Sequence, residues 1–417
     1  MFEKKLDALR RNGLLREITD RAGRQGPSIF VNGENLLNFS SNDYLGLAAN
    51  GKLIEAAAAA ARRYGAGAGA ARLLSGGTLL HHELERQAAS FTGYEAAVLF
   101  NSGYHANTGA IPALAGPECT IFSDELNHAS IIDGCRLSKA KTVIFRHADT
   151  GHLEELLLAE RPKSERAFII TESVFSMDGD IAPLDGIFNL AARHGADLYV
   201  DDAHAVGVLG GGRGSLAHFG LAAGNDKKNN SGPSIVQMCT FSKALGSYGA
   251  FVAAGREVIE WLKNTARTFI FSTALPPSAA GASLAAMGIL GSAEGSSLVG
   301  KLHANRQALQ EGLAKAGFEG FFPQERDCSP DSVRSPIVPV LLNGVEEAML
   351  ASRRLFDAGF YVPAIRPPTV KSPRLRLQVT AAHSKSDMDS LIATLQSMQP
   401  LSSKKRVPVK GGGGNAK

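Results

Sequence analysis

Lys243 is the residue best placed to form a covalent bond. It lies in CTFSKALGSYGA (239–250), where the apolar run IVQM gives way to a glycine-bearing turn. A lysine shielded from water and set near another cation loses its proton readily and can form a Schiff base. Thr240 and Ser242 flank it with hydroxyls suited to a phosphate. A second cluster, DDAHAVG (201–207), follows DLYV. There Asp201 can hold a cationic ring nitrogen, and His204 can donate to a phenolic oxygen. A third, NSGYHANTGA (101–110), follows AAVLF. Gly103 opens a helix whose first N–H groups suit an anion, and Tyr104 or His105 offers a ring for stacking. DELNHASIIDG (124–134) follows TIFS and brings His128, able to cap a planar molecule. TESVFSMDGD (171–180) follows AFII and brings Glu172 and Ser176.

The elements that must position these residues are legible in the same stretch. Short β-rich runs at 96–100, 120–123, 142–145, 167–171, 197–201, 235–241 and 249–255 alternate with helical segments. Continuous apolar strands separated by helices predict a mainly parallel sheet covered on both faces, an α/β fold. In such sheets ligands bind at the carboxyl ends of the strands, where all five clusters fall. Each cluster alone also fits an ordinary capped turn. Together they supply a lysine, a carboxylate, a stacking ring and phosphate-loop glycines, the parts that hold pyridoxal phosphate. The phosphate-loop signature GxxxxGK[ST] is absent, as are GxSxG, HExxH and paired cysteines.

Upstream, apolar spacing predicts a helix over 3–18, and FVNGENLLNFS predicts a hairpin around Asn32-Gly33. Helices are expected at 52–64, 79–92 and 276–315. Beyond 335, strands PIVPVLL and RLRLQVT mix with two helices. The implied organisation is an N-terminal helix and hairpin (1–47), a large domain (48–288), a smaller C-terminal α/β domain (289–400) and a tail (401–417).

A chain of 417 residues fits two or three domains. Hydrophobic residues at 44% and charged residues at 20% exclude a chain disordered throughout. The net charge of +4 suggests nucleic acid at first sight. Five bases and no acid stand in 401–417, which leaves 39 bases against 40 acids in the body. The basic character therefore belongs to a glycine-rich tail expected to be disordered, and no nucleic acid is expected as a partner. The polar stretch 224–232 reads as a surface loop. Cys119, Cys135, Cys239 and Cys328 lie far apart, so neither a disulfide framework nor a metal site is expected. The amphipathic start and the lack of a long apolar run lead to the expectation of a soluble, cytoplasmic protein without membrane contact.

Eight motifs occur in an order that resembles the α-oxoamine synthases, fold-type I pyridoxal-phosphate enzymes. They are SNDYLGL (41–47), GAGAARLLSGG (67–77), FNSGYHAN (100–107), NHASIIDG (127–134), TESVFSMDGD (171–180), DDAHAVGVLG (201–210), TFSKALG (240–246) and FSTALPP (271–277). The resemblance spans roughly residues 3–398. It implies that Lys243 binds the cofactor and serves as base and acid at the substrate Cα. It places Asp201 at the pyridinium nitrogen, His204 and Ser176 on the ring-hydroxyl side, and His128 over the ring. Gly103, Tyr104 and Thr240 would hold the cofactor and its phosphate. Ser272 and Thr273 would reach that phosphate from the second subunit of a homodimer with shared sites. Arg16, Asn42, His128, Thr369 and Arg376 match substrate-contacting positions, with Arg374 as the alternative to Arg376. The implied reaction joins an amino acid to an acyl thioester with loss of CO2. AIRPPTV (364–370) most resembles the branch that uses L-alanine and a pimeloyl thioester, on coenzyme A or a carrier protein, in biotin formation. Branches using glycine or serine, such as 2-amino-3-ketobutyrate ligase and serine palmitoyltransferase, are the alternatives. A cofactor-free binding homologue is the reading from another class, and the intact Lys243, Asp201 and His204 set argues against it.

Overall fold

The computed structural model describes residues 2–221, 232–318 and 334–398. The 401–417 tail, Cys328 and all but the last residue of the 224–232 stretch lie outside the described residues. The centre is a seven-stranded sheet in the order Ala96–Phe100, Ala250–Ala254, Ile235–Thr240, Asp197–Asp201, Arg166–Glu172, Cys119–Asp124, Lys141–Phe145. Only Ala250–Ala254 runs against the others, pairing antiparallel with both neighbours. The remaining six strands point the same way and end at one edge.

Alternation along each strand divides the core in two. Leu99, Phe122, Ile169, Leu198 and Phe251 face one side. Val98, Ile121, Ile170, Tyr199, Met238 and Val252 face the other. Helices cover both faces, so nearly every central strand residue is buried. The Gly103–Leu114 and Ala129–Ser138 helices pack together on the second face through Ala106, Ile111, Ile131 and Cys135.

The hairpin forms as Ser28–Val31 and Glu34–Asn38, with Asn32 and Gly33 both at positive φ (51° and 89°). It belongs to a four-stranded sheet that also contains Phe360–Tyr361, parallel to Glu34–Asn38. The chain's beginning is thus stitched to its C-terminal part. The first helix covers only Phe2–Arg11, shorter than 3–18, because Gly13 adopts φ 65°. The helical stretch expected over 276–315 forms as two helices, Pro277–Leu290 and Ala293–Leu313. A three-stranded sheet, Ile337–Leu341, Arg374–Gln378 and Ala364–Ile365, completes the C-terminal part with helices Val345–Asp357 and Lys385–Ser397.

A half-buried ion pair network ties the sheet edge to the turn that follows it. His147 Nδ1 lies 3.0 Å from Asp124 Oδ1, and its Nε2 lies 2.6 Å from Asp180 Oδ2. The Phe175 ring meets the imidazole edge-on at 4.3 Å. Burial opposes the imidazolium, but the two aspartates override it and push His147 up to about 10 from 6.5. A cationic group raised in the folded state gives stability that is complete below the unfolded value and is lost as pH rises through the folded one. Melting temperature should therefore decline between about pH 6.5 and 10. His147→Gln should flatten that decline, as read by thermal melts across the range; an unchanged slope would show that the clamp contributes nothing.

Candidate active site

The sheet's alternation decides which side chains meet. Glu172, Asp201 and Thr240 stand two residues beyond Ile170, Tyr199 and Met238, and so leave the sheet on the second face. There they line a cavity of about 210 Å³ with Lys243, His128, Ser130, Asn107 and the first turn of the Gly103–Leu114 helix. The turn carrying Lys243 is held from behind. Gly246 has φ 60°, and a Cβ on it would sit 2.3 Å from the Ala48 nitrogen, so the SNDYLGL segment packs directly on this turn.

Asp201 is fixed from two sides. Asn107 Nδ2 donates to its Oδ2 at 2.8 Å, and the Ala203 N–H donates to Oδ1 at 3.0 Å. Asn107 is itself fully buried; it accepts from the Tyr199 hydroxyl at 2.8 Å and donates to Ser130 Oγ at 2.9 Å. Sequence reasoning passed over Asn107. Its signal is a polar residue one turn after Gly103, on the helix face that must be buried.

Lys243 is half-buried. Burial pushes its amine down to about 8; Asp201 and Glu172 resist this, and Arg376 adds to it. Glu172 is 3% exposed, and its Oε1 has no hydrogen-bond partner among the described residues. Burial first, and then the Asp201 charge, hold this carboxyl well above the usual range.

His128 caps the Ala129–Ser138 helix. The Ser130 N–H donates to its Nδ1 at 3.2 Å, which makes Nε2 the protonated nitrogen of the neutral ring. Burial, with Lys243 adding to it against Asp201, lowers its pKa, so the neutral form is favoured. Tyr104 stands edge-on to it at 6.4 Å and donates its hydroxyl to Asp133. Thr240 Oγ1 and Ser242 Oγ lie 2.8 Å apart.

His204 is buried beside this set, with the Tyr44 hydroxyl 2.7 Å from its Nδ1. Burial, and then the charges of Lys243, Arg376 and His128, hold it well below its usual value. Burial also pushes Tyr44 up to about 12, so the phenol stays protonated; its hydroxyl donates to Asn42 Oδ1 at 3.2 Å and shares a hydrogen bond with His204. Tyr44 is a further residue that sequence reasoning did not single out, although it sits inside SNDYLGL.

The two arginines of the Arg374–Gln378 strand are distinguished by their partners. Arg374 Nη1 binds Asp178 at 2.7 Å and the Met177 carbonyl at 3.2 Å. Arg376 Nε donates to the Ser176 carbonyl at 2.5 Å, its Nη atoms lie 3.4 and 3.5 Å from Asn42 Oδ1, and its guanidinium also bonds the Tyr44 hydroxyl. Among the described residues no carboxylate lies within ion-pair distance of Arg376. Ser176 therefore contributes its carbonyl to the protein's own bonding, and its hydroxyl bonds to no described residue.

Eight expected site residues do not line the cavity: Asn42, Ser176, His204 and Arg376, whose bonds are given above, and Arg16, Thr369, Ser272 and Thr273. Arg16 donates to Thr369 Oγ1 at 2.9 Å on the surface. Ser272 and Thr273 line a separate cleft with Arg72 and His81, where Asn101 Nδ2 donates to Ser272 Oγ and to the Thr273 carbonyl, both at 2.8 Å.

The chain belongs to the aminotransferase class I and II family, whose model matches residues 34–395, and within it to the α-oxoamine synthases. Among curated relatives, the 8-amino-7-oxononanoate synthase of Geobacter sulfurreducens is 46% identical over 94% of this chain and 95% of that protein. That of Thermoanaerobacter pseudethanolicus is 43% identical over 95% of both. Among solved structures, serine palmitoyltransferase from S. paucimobilis superposes with a TM-score of 0.85 at 30% identity, covering 95% of this chain and 96% of that one. The 8-amino-7-oxononanoate synthase of Francisella tularensis gives 0.71 at 28% identity, covering 87% and 97%.

Pyridoxal 5′-phosphate is the cofactor. The donor set suits it: an amine with a lowered pKa, a fixed carboxylate, a neutral ring at the cavity wall, and helix N–H groups beside paired hydroxyls. A buried bond to a charged group is worth about 1.5–3 kcal/mol. Asn107→Ala should therefore weaken pyridoxal-phosphate binding about tenfold or more in spectroscopic titrations of the apo-protein; unchanged affinity would show that Asn107 does not support Asp201.

Proposed function

We propose that this chain condenses L-alanine with a pimeloyl thioester to give 8-amino-7-oxononanoate, the free thiol and CO2, opening biotin ring assembly. The observation that carries this reading is the 43–46% identity, over nearly the whole length of both chains, to relatives named for that product. Its alternative, a serine palmitoyltransferase-like activity, is favoured by the higher TM-score of that neighbour, at 30% identity. Fold similarity is the weaker guide, because one fold serves many substrates.

The cofactor, when bound, supplies the electron sink that makes an amino-acid Cα acidic. With its amine near 8, Lys243 holds a useful neutral fraction near neutral pH and moves the proton at the alanine Cα. Asp201, held by Asn107 and the Ala203 amide, faces the pyridinium nitrogen. His128 stacks over the ring, and His204 and Ser176 serve the ring hydroxyl. Gly103, Tyr104 and Thr240 hold the cofactor and its phosphate. Arg376, with Asn42 beside it, takes a substrate carboxylate through its guanidinium, while Arg374 pairs with Asp178. Arg16 and Thr369 meet the acyl substrate near the surface.

The working form in this reading is a cytoplasmic homodimer in which Ser272 and Thr273 complete the phosphate site of the second subunit. Leu73, Leu74, Leu79 and Phe271 support it: they are 57–78% exposed on two segments joined by the Ala71–Thr273 bridge. Such apolar exposure beside a functional cleft fits an interface. The large domain over 48–288 and the smaller one over 289–400 are part of the same proposal.

Thiol release from pimeloyl-CoA, assayed with alanine, glycine and serine, should proceed with alanine and be weak with the other two. A serine or glycine preference would overturn the substrate assignment. Lys243→Ala should lose both the turnover and the yellow absorbance of the loaded protein; a variant that keeps the band would show that Lys243 is not the anchor. Sedimentation should give the mass of two chains, and an active monomer would remove Ser272 and Thr273 from the site.

A further inference from the structure

Two carboxyl groups end neighbouring parallel strands at the cavity, and they are held differently: Asp201 by the Asn107 side chain and the Ala203 amide, Glu172 by the backbone amides of His128 and Ser176 with one oxygen left over. Glu172 and Asp201 are register partners, so their side chains leave the sheet on the same face with backbones about 4.8 Å apart. Asp201 accepts from Asn107 and Ala203. Among the described residues nothing donates to Glu172 Oε1, although the side chain lines the cavity and is 3% exposed. The charged groups facing this pair are Lys243, Arg376 and His128, with the backbone amides of His128 and Ser176 nearest Glu172. Two carboxylates this close in a site with little water cannot both ionise. Glu172, with an oxygen that no described residue donates to and with burial outweighing its two backbone bonds, is the one that gives up its charge.

We infer that Glu172 is a further positioning residue of the site: a neutral carboxylic acid that turns its unpartnered oxygen toward the cofactor while the pair's single negative charge stays on Asp201. A second carboxylate would hold Lys243 protonated and spoil it as a base. A neutral acid adds a hydrogen-bonding group without that effect. Glu172 can also take over the charge when Asp201 cannot carry it. This role rests on the cofactor site proposed above. The division of charge, however, can be read in apo-protein, so failure of one is distinguishable from failure of the other.

The test is the apparent pKa of Lys243 in apo-protein. It is read from the pH dependence of pyridoxal capture under borohydride, in the parent, Glu172→Gln, Asp201→Asn and the double variant. Glu172→Gln should leave the value unchanged, since it replaces one neutral group by another. Asp201→Asn should shift it little, because Glu172 ionises in its place. The double variant should lower it by about one unit or more, as expected for loss of the one nearby charge. A fall in Glu172→Gln as large as in the double variant would overturn the inference. Infrared difference spectra give a second measurement should the double variant not fold. Near neutral pH the parent minus Glu172→Gln should show a protonated-carboxyl stretch, and a carboxylate difference instead would overturn the assignment.

Discussion

One negative charge kept in a nearly dry cavity is the constraint on which the rest of the site depends. Asp201 is 5% exposed, and an isolated carboxylate there would neutralise itself. The Asn107 amide and the Ala203 N–H offset the lost hydration, and Tyr199 and Ser130 hold Asn107 in place. Burial sets the neighbours. With Asp201 adding to it, it pushes Glu172 toward the neutral form; against Asp201, it keeps His128 neutral and brings the Lys243 amine down to about 8; with the nearby cations, it keeps His204 neutral. The result is a set of groups whose proton affinities are separated by environment, as acid–base chemistry requires.

Rigidity around this charge comes from contacts that cross the whole chain. The Gly246 turn presses on the Leu47 and Ala48 backbone. Tyr44, from the same N-terminal segment, reaches His204. The C-terminal strand Arg374–Gln378 sends both arginines onto the 176–178 turn and Gln378 onto Asn42. His147 clamps that turn's far end to the strand holding Asp124. Three distant parts of the sequence thus meet over one sheet edge, which is where open α/β sheets place their ligands.

Much of this architecture was legible before any coordinates. Apolar runs at 96–100, 197–201 and 235–241 became strands, and the clusters after them became cavity wall. Asn32-Gly33 became the hairpin turn. The departures have local causes. Gly13 ends a helix that apolar spacing alone would carry on to residue 18, and the helical stretch over 276–315 breaks at Gly291-Ser292 into two. The antiparallel direction of Ala250–Ala254 was not legible, because a fully buried strand is apolar whichever way it runs.

By itself the sequence determined the residue types, their order after each strand, and hence the class of chemistry. Period-2 and helical patterns are local, and five polar clusters in series leave few folds that satisfy them. Only the tertiary structure decided which partners those residues take. Asn107 meets Asp201 across 94 positions, and Arg376 meets Ser176 across 200. Spacing cannot foresee such bonds, because they depend on strand order and helix packing. For the same reason Arg374 and Arg376 look alike in the chain, yet one pairs with Asp178 and the other bonds the Ser176 carbonyl and the Tyr44 hydroxyl without a carboxylate partner among the described residues.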